Sequence, residues 1–220
     1  MITVACVRTG TKYGIQYVER LRNMVKRHLP VDHEFICLTD QPEDVDGITF
    51  IPIGEWSGML PGWWAKMLLL SNAWRGDLRT IYLDLDTVVV GDLTPLAEYD
   101  GAFALCRNFT QLSGHPTWPC KYASCAMSIP PVFGAHLWDY FMRYRETLIE
   151  ECRYGDQQAI ERLYSDPVFL QEVMPAGFFL GKRDLGDHMT APPDEAAIVV
   201  FGGASKPHNS PFKWVREAWV

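Results

Sequence analysis

The sequence predicts an α/β fold, with a mostly parallel central sheet flanked by helices, on three observations. Apolar runs alternate with a helical pattern over roughly the first sixty residues, which is the rhythm of βαβ units. The segment between the first two runs has the three-and-four spacing of a helix with one buried face. The string TIYLDLDTVVV, from Thr80 to Val90, is apolar enough for a strand buried on both faces, broken only by Asp84 and Asp86.

In chain order, Ile2 to Val7 is the first strand. Ile15, Val18, Leu21, Val25 and Leu29 then form one helix face, with Arg20, Arg22, Lys26 and Arg27 off it, so this helix should cross over between parallel strands. Phe35 to Leu38 and Ile48 to Ile53 are the next strands, and a second helix is expected at about 64–75. After the Asp-containing strand come apolar segments at Ala102 to Leu105 and Ser124 to Ile129. Pro130 and Pro131 suit a helix's first turn, where a missing N–H costs little, and Phe133, Leu137, Phe141, Tyr144 and Leu148 would form that helix's buried face. Ala197 to Phe201 is a late strand, followed by a loop with Gly, Pro and Lys. The Pro- and Gly-bearing stretch from Asn108 to Pro119 reads as a long surface loop near a site. Without an internal repeat or an obvious linker, 220 residues suit a single domain, 1–220.

Composition narrows the function. The formal net charge is -7, which lacks the basic surplus that a polyphosphate backbone demands, so nucleic acid is not an expected partner. Apolar stretches fall far short of the roughly 20 residues of a transmembrane helix. The opening MITVACVRTG reads as a strand and not as a secretion signal, which places the protein in the cytoplasm. Of six cysteines, Cys6 and Cys37 lie in strand-like runs and none forms a C-x-x-C pair, so reduced thiols are expected. Trp56, Trp63, Trp64 and Trp74, four of eight tryptophans, cluster in sequence and could pack in the core or form stacking platforms for sugars or bases.

Asp84 and Asp86 carry the chemical signal. Two apart on an extended chain, their carboxylates would project to one side. Such oxygens suit Mg²⁺ or Mn²⁺, with a substrate's phosphates completing the coordination. Taken alone, D-x-D is equally compatible with two solvated aspartates at a strand end.

The longer string YLDLDTVVVGDLTPL, from Tyr82 to Leu96, closely resembles the signature of GT-A glycosyltransferases of the glycogenin and bacterial lipopolysaccharide galactosyltransferase type. The resemblance implies a GT-A, Rossmann-like domain that moves a sugar from a nucleoside-diphosphate sugar, expected to be a UDP-sugar, to an acceptor hydroxyl, with Mn²⁺ or Mg²⁺ on Asp84 and Asp86. ACVRTGTKYGIQYV resembles the family's nucleotide-contacting loop, which would bring Arg8, Thr9 and Tyr13 near the base. Thr39 and Asp40 occupy the place where the family meets uridine, and Lys66 in GWWAKMLLL matches a basic donor contact. YGDQQAI resembles a helix-opening motif that would set Asp156 and Gln157 on the sugar and acceptor side; by its residues alone, it is an Asp N-cap with Gln in the first turn, and the two roles are compatible. VVFGGASKPH, from Val199 to His208, resembles the family's C-terminal loop, in which Lys206 would reach the diphosphate and Gly203 would let backbone N–H groups approach it. Here the chain departs from the pattern: the metal-binding histidine's position, counted back from Gly203, holds Val200, and the neighbouring register holds Gly202. His208 is the candidate to replace it as a metal ligand or phosphate partner. The acceptor could be a glycan, a lipid-linked sugar, a protein or a small molecule, with Trp63, Trp64 and Trp118 as candidates for its apolar platform.

Other readings compete. The same D-x-D-x-T string fits haloacid-dehalogenase-type phosphatases, with Asp84 as nucleophile and Asp86 as acid/base, but that motif belongs on a first strand and needs a later acidic pair. The absent histidine motivates a catalytically inactive sugar-nucleotide-binding protein. A lectin-like reading rests on tryptophan count alone.

Overall fold

The computed structural model describes residues 1–220 apart from 72, 75, 113–118 and 187–189. Its first strand, β1 (Ile2–Arg8), buries Val4, Ala5 and Cys6 in succession, as a strand covered on both faces must. The helix Ile15–His28 follows and buries Tyr17, Val18, Leu21, Met24 and Val25, the face expected from its spacing with Tyr17 and Met24 added. It leads to β2 (His33–Thr39), parallel to β1. The remaining strands are β3 (Thr49–Pro52), β4 (Thr80–Leu83), β5 (Thr87–Val89), β6 (Ala104–Arg107), β7 (Tyr122–Ile129), β8 (Val168–Phe169), β9 (Phe179–Gly181) and β10 (Ile198–Val200).

Seven strands form the main sheet in the order β3-β2-β1-β4-β7-β6-β8. Only β7 runs against the others, pairing antiparallel with β4 and β6, so the sheet is mostly parallel. Alternation along each strand divides the core. Val4, Cys6, Ile81 and Leu83 face a layer that includes Val18, Leu21 and Phe201. Ala5 and Tyr82 face a layer with Trp64, Leu69, Ile129 and Phe141. A second sheet has the order β5-β10-β9, with β10 antiparallel to β5 and parallel to β9.

Several expectations need correction. The apolar run around Asp84 is two strands in two sheets, because the chain turns between Leu83 and Thr87. In place of a helix over 64–75 there is a 3-10 segment, Gly62–Leu70, closed by the N–H of Ser71 on the carbonyl of Leu68. Six of its nine residues are buried, so it has no polar face, and burial rather than a helical stripe holds it. Pro130 does not open a helix: its carbonyl accepts the N–H of Phe133 in a turn, and the helix Ala135–Arg143 begins after Gly134 at φ +100°. That helix breaks at Tyr144 before a second one, Arg145–Glu151, so Leu137, Phe141 and Leu148 are buried while Tyr144 is exposed. The expected 108–119 loop contains a helical turn, Phe109–Leu112, and its next six residues lie outside the described ones.

Trp56 packs edge-on to Trp138, Trp64 stacks on Phe141, and the Trp74 indole N–H donates to the carbonyl of Leu68 at 2.7 Å, so these three are structural. Trp63 is 55% exposed, and Trp118 lies outside the described residues. All six cysteines are buried and unpaired. Among the described residues, no helix is long and apolar enough to cross a membrane.

Candidate functional site

Because β1, β2 and β4 are parallel, the loops that leave their carboxyl ends converge on one edge of the sheet, where open α/β sheets bind ligands. The β1 and β2 loops are tied together there. Asp40 accepts the Gly10 N–H at 3.0 and 3.2 Å on its two oxygens, and the Gln41 side chain donates to the Gly10 carbonyl at 2.9 Å. Thr39 is fully buried, with its hydroxyl accepting the Gln41 N–H. Thr9 donates to the carbonyl of Gly62 at 3.1 Å. Arg8 is buried, and its guanidinium pairs with Glu43 at 2.7 Å and reaches Gln41. Arg8, Thr39 and Asp40 therefore brace the β1 and β2 loops against each other, and in this structure Arg8 is engaged by the β2 loop.

The two central aspartates are presented by a turn and not by strand alternation, which corrects the extended geometry expected for them. Asp84 donates its N–H to the carbonyl of Cys125 at 2.8 Å, and the N–H of Thr87 closes back onto the carbonyl of Asp84 at 3.1 Å. The chain then joins the second sheet, where Thr87 pairs with Val200 and the Phe201 N–H reaches the Asp86 carbonyl.

Each carboxylate has its own lysine. Lys66 lies 3.0 and 3.3 Å from the two oxygens of Asp84, and Tyr82 donates to Asp84 from below. Lys66 also donates to Ser124 at 3.1 Å and stands 3.6 Å from Asp156. Lys206 pairs with Oδ2 of Asp86, which also accepts the Tyr13 hydroxyl at 3.0 Å. The Lys206 ammonium lies 5.7 Å from the Tyr13 ring centre, and its other contact is the Phe201 carbonyl.

Burial sets the titration of this cluster. Asp86 is pushed above the usual carboxylate range by burial and then by the charge of Asp84, against the opposing pull of Lys206 and Tyr13. Asp156 is pushed up by burial, opposed chiefly by Lys66 and Ser124. For Lys66 burial works against the charge, but Asp156 and Asp84 outweigh it and raise its pKa, so the ammonium persists. Burial and Asp86 raise the Tyr13 phenol, and burial and Asp84 raise that of Tyr82, so both stay hydrogen-bond donors.

Asp156 is the first residue of the helix Asp156–Leu163, and Gly155, at φ +80°, holds the cap position expected for the aspartate. The Asp156 carboxylate turns instead toward Lys66, and its Oδ2 lacks a hydrogen-bond partner. Gln157 is half-buried beside it with no side-chain hydrogen bond among the described residues. Gly203 sits at φ +78° in an exposed stretch with nothing within 4 Å of a Cβ built there, so its backbone is open to a ligand. His208 is exposed and bonded through Nδ1 to the Tyr17 hydroxyl, with Trp219 also near its ring. Val200 is buried in the apolar core.

A divalent cation fits this donor set in part. Asp84 and Asp86 supply hard oxygens, and Oδ1 of Asp86 has no partner among the described residues, which leaves an oxygen for an ion that takes further ligands from phosphate. Among the described residues no group of three or more His, Cys, Asp or Glu side chains could hold a metal ion. Three participants escaped sequence reasoning: Tyr82, Ser124 and Tyr17. Ser124 was visible as a hydroxyl in an otherwise apolar strand, whereas Tyr17 looked like an ordinary core ring.

The sequence matches no protein-family model, and none of the curated proteins matches it in sequence. Solved structures do match the fold. The galactosyltransferase LgtC, in complex with donor and acceptor sugar analogs, superposes with a TM-score of 0.68 at 14% identity, over 99% of this chain and 92% of its own. The glycosyltransferase GlyE of Streptococcus pneumoniae TIGR4 gives 0.68 at 16% identity, over 100% of this chain and 60% of its own. Mouse xyloside xylosyltransferase 1, in its apo form, gives 0.54 at 10% identity, over 91% and 97%. The mostly parallel sheet flanked by helices is the GT-A glycosyltransferase fold.

Proposed function

We propose that this protein is a metal-dependent glycosyltransferase that transfers a sugar from a nucleoside-diphosphate sugar, a UDP-sugar, to an acceptor hydroxyl. The observation that carries the reading is the pairing of Asp84 with Lys66 and of Asp86 with Lys206 at the carboxyl edge of the parallel strands, where Tyr13 also bonds Asp86. Similarity to solved glycosyltransferases over nearly the whole chain supports it.

The base would lie against Thr9, Tyr13, Thr39 and Asp40. Lys206, already paired with Asp86 at the site, would shift to the leaving phosphate oxygens and neutralise charge where it grows. The backbone at Gly203 would donate to the same phosphates. Mn²⁺ or Mg²⁺ held by Asp84 and Asp86 would supply Lewis-acid stabilisation of the diphosphate. Lys66 and Asp156 would fix the donor sugar's hydroxyls, with Gln157 on its open face toward the acceptor. As the acceptor oxygen bonds to the anomeric carbon, the bond from that carbon to the diphosphate breaks, and the hydroxyl proton passes to the departing phosphate oxygen.

A second reading has one observation in its favour. With apolar Val200 where the family places a metal-binding histidine, the chain could bind sugar nucleotides without turning them over. Release of UDP from UDP-sugars in the presence of an acceptor separates the two.

Thermal stabilisation by UDP with and without Mn²⁺, on the wild type and the Asp84→Ala, Asp86→Ala double variant, tests the donor site. A UDP shift that needs both Mn²⁺ and the aspartates is expected. A shift from inorganic phosphate alone, with none from UDP, would overturn it and favour the phosphatase chemistry.

A further inference from the structure

A cavity of about 340 Å³ lies beside the Lys206 loop. Lys182, Arg183, Phe201, Ser205, Ser210 and Phe212 line it. Lys182 and Arg183 follow directly on β9, whose Gly181 pairs with Val200, so they stand just beyond the strands that carry Phe201. Phe201 is shared with the proposed donor site: its N–H donates to Asp86 and its carbonyl accepts from Lys206. Ser205 immediately precedes Lys206 in the chain.

The lining specifies a ligand class. In a chain of net charge -7, Lys182 and Arg183 have no ion pair among the described residues. The carboxylate within their own turn, Asp184, accepts the Gly181 N–H at 2.9 Å. A lysine point charge, a guanidinium fork and the Ser205 hydroxyl make a donor set for an oxyanion. Phe201 and Phe212 add apolar walls, and the volume falls in the range of about 300–1,000 Å³ typical of small-molecule sites.

We infer that this cavity receives the anionic group, phosphate or carboxylate, of an acidic sugar. The inference rests on the glycosyltransferase reading for the choice of a sugar, though not for the anion site itself. The test is calorimetric titration of glucose 6-phosphate, glucuronate and glucose into protein saturated with UDP and Mn²⁺, so that the donor site is already filled. Saturable binding of at least one anion, with none for glucose, is expected, and the anion that binds identifies the source. Lys182→Ala, Arg183→Ala should weaken that binding about 100-fold, since each charged contact accounts for about tenfold, while its UDP titration stays unchanged. Anions that bind no better than glucose, or bind the double variant equally well, would overturn the inference while UDP binding left the donor reading standing. If UDP does not bind but glucose 6-phosphate does, in a manner that depends on Lys182 and Arg183, the donor reading falls and the anion site remains.

Discussion

Replacing Lys206 by Met removes the ammonium on Asp86 and keeps most of the stem that packs beside Tyr13. Both partners are largely buried, and breaking such a pair by deleting one member costs about 3–5 kcal/mol because the other charge is stranded. An unfolding entropy of about 2.1 cal/mol/K per residue, over 220 residues, converts this to a Tm loss of about 6–11 °C at neutral pH. The cost has a pH signature. Asp86 has a folded pKa above its unfolded value of about 3.9, so the folded state binds its proton more tightly, and the stability it contributes falls as pH rises through that interval. Without Lys206 the folded value rises further, so the variant's deficit should be smaller at about pH 4.5 than at about pH 7.5, because protonation of Asp86 relieves the stranded charge as pH falls. Mn²⁺ should narrow the deficit by restoring positive charge at Asp86. Differential scanning calorimetry at the two pH values, with and without Mn²⁺, reads this directly. A deficit equal at both pH values and indifferent to Mn²⁺ would show that Lys206 acts through packing and would refute the electrostatic account.

Gly155→Ala should lower Tm by about 2–6 °C, from about 1–3 kcal/mol for an L-residue held at φ +80°, ψ -155°, a conformation essentially confined to glycine. The new Cβ would lie 2.7 Å from the Trp63 indole nitrogen, but that ring is half in solvent and can move, so the backbone supplies most of the loss; an unchanged Tm would contradict the φ of +80°. Asp156→Asn should keep the UDP-dependent thermal shift and reduce turnover about 100-fold, as loss of one charged contact to the reacting sugar does. Loss of the UDP shift in the same variant would instead make Asp156 part of the nucleotide site.

The opening βαβ unit was legible because its signals are local. Helix periodicity over Ile15 to Leu29 and the flanking apolar runs predict elements that the structure places within a few residues. The position of the chemistry was legible too, through Asp84 and Asp86, but their geometry was not. It depends on Thr87 pairing with Val200, and on a lysine 120 residues beyond Asp86, which spacing within a motif cannot reveal. Lys66 was matched to a donor contact, yet its role as a bridge between Asp84, Ser124 and Asp156 arises only when β7 pairs with β4. Strands β8 and β9 escaped because two- and three-residue strands carry no period. The helix expected at 64–75 failed for the opposite reason: an apolar run buried all round looks alike as a helix or a 3-10 segment.

The charges at the site yield a last prediction that none of the single contacts does. Three carboxylates, Asp84, Asp86 and Asp156, face two ammoniums, Lys66 and Lys206, so the cluster is one charge short of neutral when all are ionised. Burial resists that charge by raising Asp86 and Asp156, so the cluster by itself favours taking up a proton. A nucleoside diphosphate adds about three negative charges at neutral pH and would make the surplus worse, whereas the same ligand entering with a divalent cation adds only about one. UDP alone should therefore bind weakly at neutral pH and more tightly as pH falls toward the carboxylate range, while Mn²⁺ should remove most of that dependence. Titrating UDP calorimetrically at several pH values in chelator and in Mn²⁺ measures both slopes. Tight UDP binding in chelator at neutral pH would mean that Lys66 and Lys206 compensate the diphosphate by themselves, and the aspartates would then serve to position lysines rather than a metal.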